Sequence, residues 1–205
     1  MLPPSSRMRN GAAGSSWKAD RNTVNVKPHM TKKRGVNSRS GEGDMNRQVY
    51  VVGLIADTHG LVRPEIERAF AGVDLIVHAG DVGGPHVLAA LGAIAPVAAV
   101  YGNVDDAQNP ALARERLLPI AGLTLHVSHG HELGTPTPER LFARYAGDVL
   151  VFGHTHRALV VRQGDRLAVN PGAAGPRRFD LQPSVARLTI AGGRADVEIV
   201  GLGSP

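Results

Sequence analysis

From residue 49 onwards apolar positions come in short runs separated by polar turns, whereas residues 1–47 show no apolar periodicity. Residues 49–56 make an apolar run of strand length. Residues 64–70 open with a proline and carry two acids early, as the first turn of a helix does. A second buried strand is predicted over 75–78, a helix over 85–94, a third strand over 97–101 and a fourth over 123–128. A helix over 138–145 then precedes a fifth strand, 149–152. After that the pattern changes. Stretches 158–162 and 166–170 flank Gln163-Gly164-Asp165, and stretches 184–190 and 194–200 flank Ala191-Gly192-Gly193; both are hairpin signals. Alternating strands and helices that give way to hairpins predict an α/β fold. It is built either on one mixed sheet or on two sheets packed face to face with helices outside. The longest apolar region, 87–101, is interrupted by Gly92 and Pro96 and does not make a membrane span. No internal repeat is visible.

Composition divides the chain at the same point. Residues 1–47 are rich in Ser, Gly, Asn, Lys and Arg, cannot bury enough surface to order themselves, and are read as a disordered basic tail. They contain no apolar stretch that could serve as a signal-peptide core. The tail holds ten Lys and Arg against three acids, a charge of +7; residues 48–205 hold 13 basic residues, all of them Arg, against 15 acids, a charge of −2. The net charge of +5 therefore belongs to the tail and says nothing about the partners of the body. The tail reads as a dispensable extension, as a sequence ahead of a true start at Met45, or as a basic arm for nucleic acid or anionic surfaces. Cysteine is absent, which removes disulfide scaffolds, thiolate zinc sites, iron–sulfur clusters and Cys nucleophiles, and suits a cytoplasmic location. With only one Trp, three Tyr and four Phe, a stacking platform for single-stranded nucleic acid is disfavoured.

The chemistry gathers after the predicted strands. Asp57-Thr58-His59 follows the first, Gly80-Asp81 the second, Gly102-Asn103-Val104-Asp105 the third, Ser128-His129-Gly130-His131 the fourth and Gly153-His154-Thr155-His156 the fifth. In an α/β sheet the C-terminal strand ends share one edge, where ligand crevices form, so these groups are expected to meet in space. Asp57 and His59 are spaced to point to one side of an extended segment, as are His154 and His156. Asp, His and Asn donors suit Mn, Fe, Zn, Co or Ni. Five such clusters on successive strand ends predict a metal centre.

In this order the five blocks resemble the pattern of the calcineurin-like metallophosphoesterase superfamily: Asp-X-His, Gly-Asp, Gly-Asn, a Gly/His pair and Gly-His-X-His. The resemblance covers roughly residues 48–190. Asn170-Pro171-Gly172, with Arg177 soon after, is similar to a segment of the small single-domain bacterial and archaeal phosphodiesterases, which have Ser where this chain has Ala173. It implies two mixed β-sheets packed as a sandwich flanked by helices, with residues 48–205 as the metallophosphoesterase domain. It also implies two divalent metal ions, Mn first, with Fe, Zn, Ni, Co or Mg as the others. One ion would be held by Asp57, His59 and His156, the second by Asn103, His129 and His154, and Asp81 would bridge them. The implied activity is hydrolysis of small phosphodiesters by a hydroxide held between the metals, without a covalent phosphoenzyme. Asp81 and Asn103 are then catalytic as well as metal-binding. Dimers and tetramers are ordinary for that branch.

Many members of the superfamily have a His directly after the Asn of Gly-Asn; here it is Val104. His131, two residues from His129, becomes the first candidate for general acid, with a structural role as its alternative. Asp105 is read either as a structural residue or as one that orients a ligand or substrate. His78 and His126 fall inside strands and His86 opens a helix, so all three are read as structural. One of Arg177 and Arg178 is a candidate grip for a phosphate, because a guanidinium matches its geometry. Two other functions compete. One is a non-catalytic protein-binding scaffold on the same fold, against which the intact set of seven ligands argues. The other is a nuclease that uses the basic tail, against which the charge of the body and its few aromatic rings argue.

Overall fold

The computed structural model describes residues 49–178 and 180–203. The basic tail and the start at Met45 lie outside the described residues. The strands are β1 (Val49–Ile55), β2 (Leu75–Ala79), β3 (Val97–Val100), β4 (Glu115–Ile120), β5 (Leu123–Ser128), β6 (Val149–Val151), β7 (Leu159–Gln163), β8 (Arg166–Asn170), β9 (Ser184–Ala191) and β10 (Arg194–Gly201). The helices are α1 (Glu65–Ala69), α2 (Pro85–Gly92) and α3 (Pro138–Arg144), and a single 3₁₀ turn covers His131–Leu133. The strands form two five-stranded mixed sheets, β10-β9-β1-β2-β3 and β4-β5-β6-β8-β7. β1, β2 and β3 run parallel, as do β5, β6 and β8; β9 and β10 extend the first sheet and β4 and β7 edge the second, all antiparallel to their neighbours.

Strand alternation sends successive side chains to opposite faces, and this sorts the core into three layers. Val52, Leu54, Val77, Val100, Leu125, Val127, Val151 and Leu188 pack between the sheets. On the outer face of the first sheet, Ile55 and Ile76 receive Ile66 and Phe70 from the α1 region and Val87 and Leu91 from α2. On the outer face of the second, Leu150 and Ala168 receive Leu141 and Tyr145 from the α3 region. The sandwich with helices outside is the two-sheet alternative of the sequence pattern, the one the resemblance implied. α3 starts as a helix should: Thr137 accepts a hydrogen bond from Arg140 N and Pro138 occupies its first turn. Among the described residues, no helix is long and apolar enough to cross a membrane.

β4 was not predicted. It lies at a sheet edge, where Pro119 is tolerated because its missing N–H can face outward, and half of its residues are exposed. Its turn to β5 uses Ala121 and Gly122, both at positive φ (48° and 86°), a hairpin geometry that Asn-Gly usually announces.

The sheet order fixes where the chemistry goes. The parallel strands β1, β2 and β3 end at one edge, and β5 and β6 of the facing sheet end beside them. Backbone hydrogen bonds tie the loop after β1 to the loop after β2: Asp57 N to Gly80 O (3.0 Å), His59 N to Asp81 O (2.9 Å) and Gly60 N to Val82 O (2.9 Å). Gly153 N donates to His129 O (3.1 Å) and so joins the loops after β5 and β6.

Candidate metal centre

Backbone strain collects at this edge. Among the described residues, six other than glycine have positive φ, and five of them are Asp57 (54°), His59 (46°), Asp81 (53°), His154 (67°) and His156 (59°). Each costs about 1–2 kcal/mol against an ordinary backbone, and such cost persists where the surroundings hold it for a function.

The side chains on these loops converge. Asp57, His59, Asp81 and His156 present donor atoms that all lie within 4.8 Å of one another. His156 Nε2 is 3.3 Å from Asp57 Oδ1 and 3.3 Å from His59 Nε2. Next to this group, Asn103 Oδ1 is 3.2 Å from His129 Nε2 and 3.0 Å from His154 Nδ1. The Asp81 carboxylate stands between the groups, Oδ2 3.8 Å from His59 Nε2 and Oδ1 3.4 Å from His129 Nε2. All seven sequence-predicted metal residues are therefore brought together. His131 lies at the margin: its ring centroid is 5.3 Å from that of His129 and 6.4 Å from that of His154.

This donor set fits divalent cations. Asp57 is fully buried and its Oδ2 has no hydrogen-bond partner, an expensive state for a carboxylate with nothing cationic beside it. Two imidazole Nε2 atoms facing each other at 3.3 Å want a proton or a cation between them. His129 donates its Nδ1 proton to Ala79 O (2.8 Å), which turns the Nε2 lone pair toward Asp81 and Asn103, the tautomer a metal ligand needs. Burial alone would raise the pKa of Asp81; the hydrogen bond and charge of His129, with the Val104 N–H and His59, outweigh it and hold it at about 2. Burial likewise opposes charge on His129, but Asp81 and Asp57 outweigh it, and its pKa is raised. In His59 and His154 burial prevails and lowers the pKa.

The remaining candidates separate clearly. Asp105 accepts from Val82 N (3.0 Å), Gly83 N (2.9 Å) and Gly102 N (2.9 Å), so it ties two ligand loops together and is structural. Of the adjacent arginines, Arg178 reaches the centre, its Nη2 3.4 Å from His59 Nε2. Its segment is strapped to the loop after β1. Ala174 N donates to Ala56 O and Gly175 N to Asp57 O, while Arg63 donates to the carbonyls of Ala174 (3.2 Å) and Gly175 (3.1 Å). His126 stacks on Tyr145 and pairs with Glu115 (3.2 Å), and His86 donates to Gly60 O (2.7 Å).

His78, read from the sequence as structural, supports the turn that carries Asp57 and His59. It is fully buried and its Nε2–H donates to Thr58 Oγ1 (2.9 Å), whose hydroxyl donates onward to Val82 O (2.9 Å). This relay holds Thr58, which sits between Asp57 and His59. Burial lowers the His78 pKa to about 4. The unfolded chain then takes up a proton near pH 6.5 that the folded protein refuses until about pH 4, so stability present above pH 6.5 is lost as pH falls through that window. The loss is about 3 kcal/mol by pH 4. Urea unfolding of metal-free protein from pH 7.5 to 4 (~3.5 pH units) checks it. His78→Gln, which can still donate to Thr58, should remove about 3 kcal/mol of that fall and leave what His59, His126 and His154 contribute in the same direction; an unchanged curve would rule His78 out as a source.

Known proteins match most of this chain. A family model, that of the calcineurin-like phosphoesterase superfamily domain, matches residues 51–193. The chain is 37% identical over 166 residues to a probable metallophosphoesterase of Methanothermobacter thermautotrophicus, which covers 76% of this chain and 94% of that protein. In fold it is similar to vacuolar protein sorting 29 of Cryptosporidium parvum (TM-score 0.63, 21% identity, 76% of this chain and 99% of that one). It is similar as well to a protein described as a novel archaeal phosphodiesterase (TM-score 0.61, 22% identity, 74% of this chain and 99% of that one).

Proposed function

We propose, from the premise that the chain belongs to the calcineurin-like phosphoesterase superfamily, that it is a two-metal phosphodiesterase acting on small phosphodiesters. The observation that carries this reading is the placement of the Asp81 carboxylate, one oxygen toward His59 and the other toward His129. Asp57, His59 and His156 would hold one cation in this reading, and Asn103, His129 and His154 the other, with Asp81 contributing to both, as in two-metal sites. Manganese is the first choice, because mixed oxygen and imidazole donors accept it. Bound cations supply charge neutralisation for the phosphoryl oxygens and lower the pKa of an attacking water.

The protein's own residues do the rest. Backbone hydrogen bonds between the loops after β1 and β2, and between those after β5 and β6, fix most of the donors, so the site is organised before substrate arrives. Arg178, beside His59, offers a fixed positive charge and two parallel N–H groups to a phosphoryl oxygen. His131 lies close enough to the centre to hand a proton to a departing alkoxide, with its Nδ1 3.7 Å from Glu132 Oε2. The name of the archaeal phosphodiesterase of similar fold supports a diester substrate.

The test is hydrolysis of a chromogenic phosphodiester beside its monoester, by metal-stripped protein before and after Mn is restored. Metal-dependent turnover is expected, with the diester preferred at least about tenfold in kcat/KM, roughly 1.4 kcal/mol. A folded protein that turns over neither ester with any divalent metal would instead be a binding scaffold.

A further inference from the structure

Beside the metal centre lies a groove of about 680 Å³, and His156, whose Nε2 faces Asp57 and His59, stands in its wall. The remaining wall is mainly apolar: Pro136 ahead of α3, Phe152 after β6, Leu159 on β7, Leu181, and Ile199 on β10. Leu159 and Ile199 are each 37% exposed, and both line this one groove. A small cleft shared by His156, Leu181 and Arg178 links its wall to the guanidinium that approaches His59.

We propose that this groove is the subsite for one ester group of the substrate, and that this group is apolar, an aryl or branched alkyl alcohol. The proposal rests on the phosphodiesterase reading above. A phosphate alone has no use for a cavity of this size, which falls within the roughly 300–1,000 Å³ of small-molecule sites. The lining then decides what fills it. Among the described residues that line it, Arg157 carries the one fixed charge and there is no carboxylate, so a cationic alcohol such as choline meets repulsion and no partner. A sugar would find Thr137, Thr155, Gln182 and Ser184 for a few of its hydroxyl groups and set the others against apolar wall, at a cost of about 1–3 kcal/mol each. A ring or branched chain gains from every part of the wall it covers.

Isothermal titration calorimetry of the full, Mn-loaded chain, with the heat of any turnover subtracted, tests this with three diesters: dimethyl phosphate, methyl phenyl phosphate and the methyl ester of phosphocholine. Methyl phenyl phosphate should bind at least about tenfold more tightly than dimethyl phosphate, and the choline diester no more tightly than dimethyl phosphate. Leu159→Asp and Ile199→Asp, on different sheets and both partly exposed, should each cut the preference for the phenyl ester over dimethyl phosphate below about threefold, a ratio in which general repulsion of the phosphate cancels. A wild-type preference already below threefold, or one that survives both substitutions, would overturn the proposal. So would a self-association that Leu159→Asp abolishes, since the groove would then be a subunit interface. The chromogenic assay on the same preparations keeps the two readings apart: turnover without phenyl preference removes the groove alone, and phenyl preference without turnover removes the catalytic reading.

Discussion

Asp81→Asn should lower kcat/KM for a chromogenic phosphodiester by about 10³-fold, about 4 kcal/mol of transition-state stabilisation, while the metal-free protein keeps its fold. The choice of Asn isolates the charge. Asp81 sits at φ 53°, and Asn is among the few residues with a side chain that accept a left-handed backbone readily, so the loop after β2 stays in place. Asn also keeps an oxygen for Val104 N, which donates to Asp81 Oδ1 at 3.1 Å. It loses the negative charge and the second oxygen, the one 3.8 Å from His59 Nε2, and an amide nitrogen cannot ligate there. A single carbonyl oxygen cannot serve both groups of donors. Calorimetry with Mn should show the weaker of the two binding events lost, and circular dichroism of the metal-free variant should match wild type. Full activity in Asp81→Asn would remove the bridge from the proposal.

The parts of this site that were legible in the sequence are local ones. The pairs Asp57/His59 and His154/His156 were legible as pairs, but the extended segments expected to align them are absent: all four residues sit at positive φ, so tight left-handed turns bring each pair to one side. That the five blocks would meet also followed from sequence, because each comes just after a predicted strand and parallel strands end on a common edge. What escaped notice depends on register or on contacts among distant segments. His78 looks like one more residue of a buried strand. Only the pairing of Ile55 with His78 brings it near the turn that carries Thr58. Arg177 and Arg178 are indistinguishable as letters; the strap of Arg63 across Ala174 and Gly175 is what delivers Arg178 to His59. Asp105 could be read either way until its three backbone donors were seen. β4 lacked apolar alternation because an edge strand has solvent on one side and needs less of it. The groove beside His156 is assembled from four separate stretches of chain, and nothing within any one of them announces it.

Gly102→Ala should cost about 10²-fold in kcat/KM and about 2–3 kcal/mol of stability, although it adds a single methyl group. Gly102 is not needed for a left-handed turn; it is needed for space. A Cβ there would lie 2.0 Å from Asp81 Oδ1, 2.8 Å from Asp81 Cγ and 2.4 Å from Asp81 N. A carboxylate could rotate away from such a clash, but the backbone nitrogen cannot. That backbone is already held at φ 53°, and His59 N is bonded to Asp81 O, so a shift at Asp81 is passed on to the loop after β1. Displacement of about 1 Å suffices for a loss of this size, because both groups of donors are set by these two loops. Gly92→Ala is the control. It makes the same chemical change at the end of α2, where a Cβ would meet nothing within 4 Å. There the smaller entropy of the unfolded chain should leave stability unchanged or raise it by up to about 1 kcal/mol, with activity intact. Urea unfolding and Mn-dependent kcat/KM of the two variants, side by side, decide the matter. If Gly102→Ala behaves like Gly92→Ala, the close approach of the two ligand loops does not set the geometry of the centre.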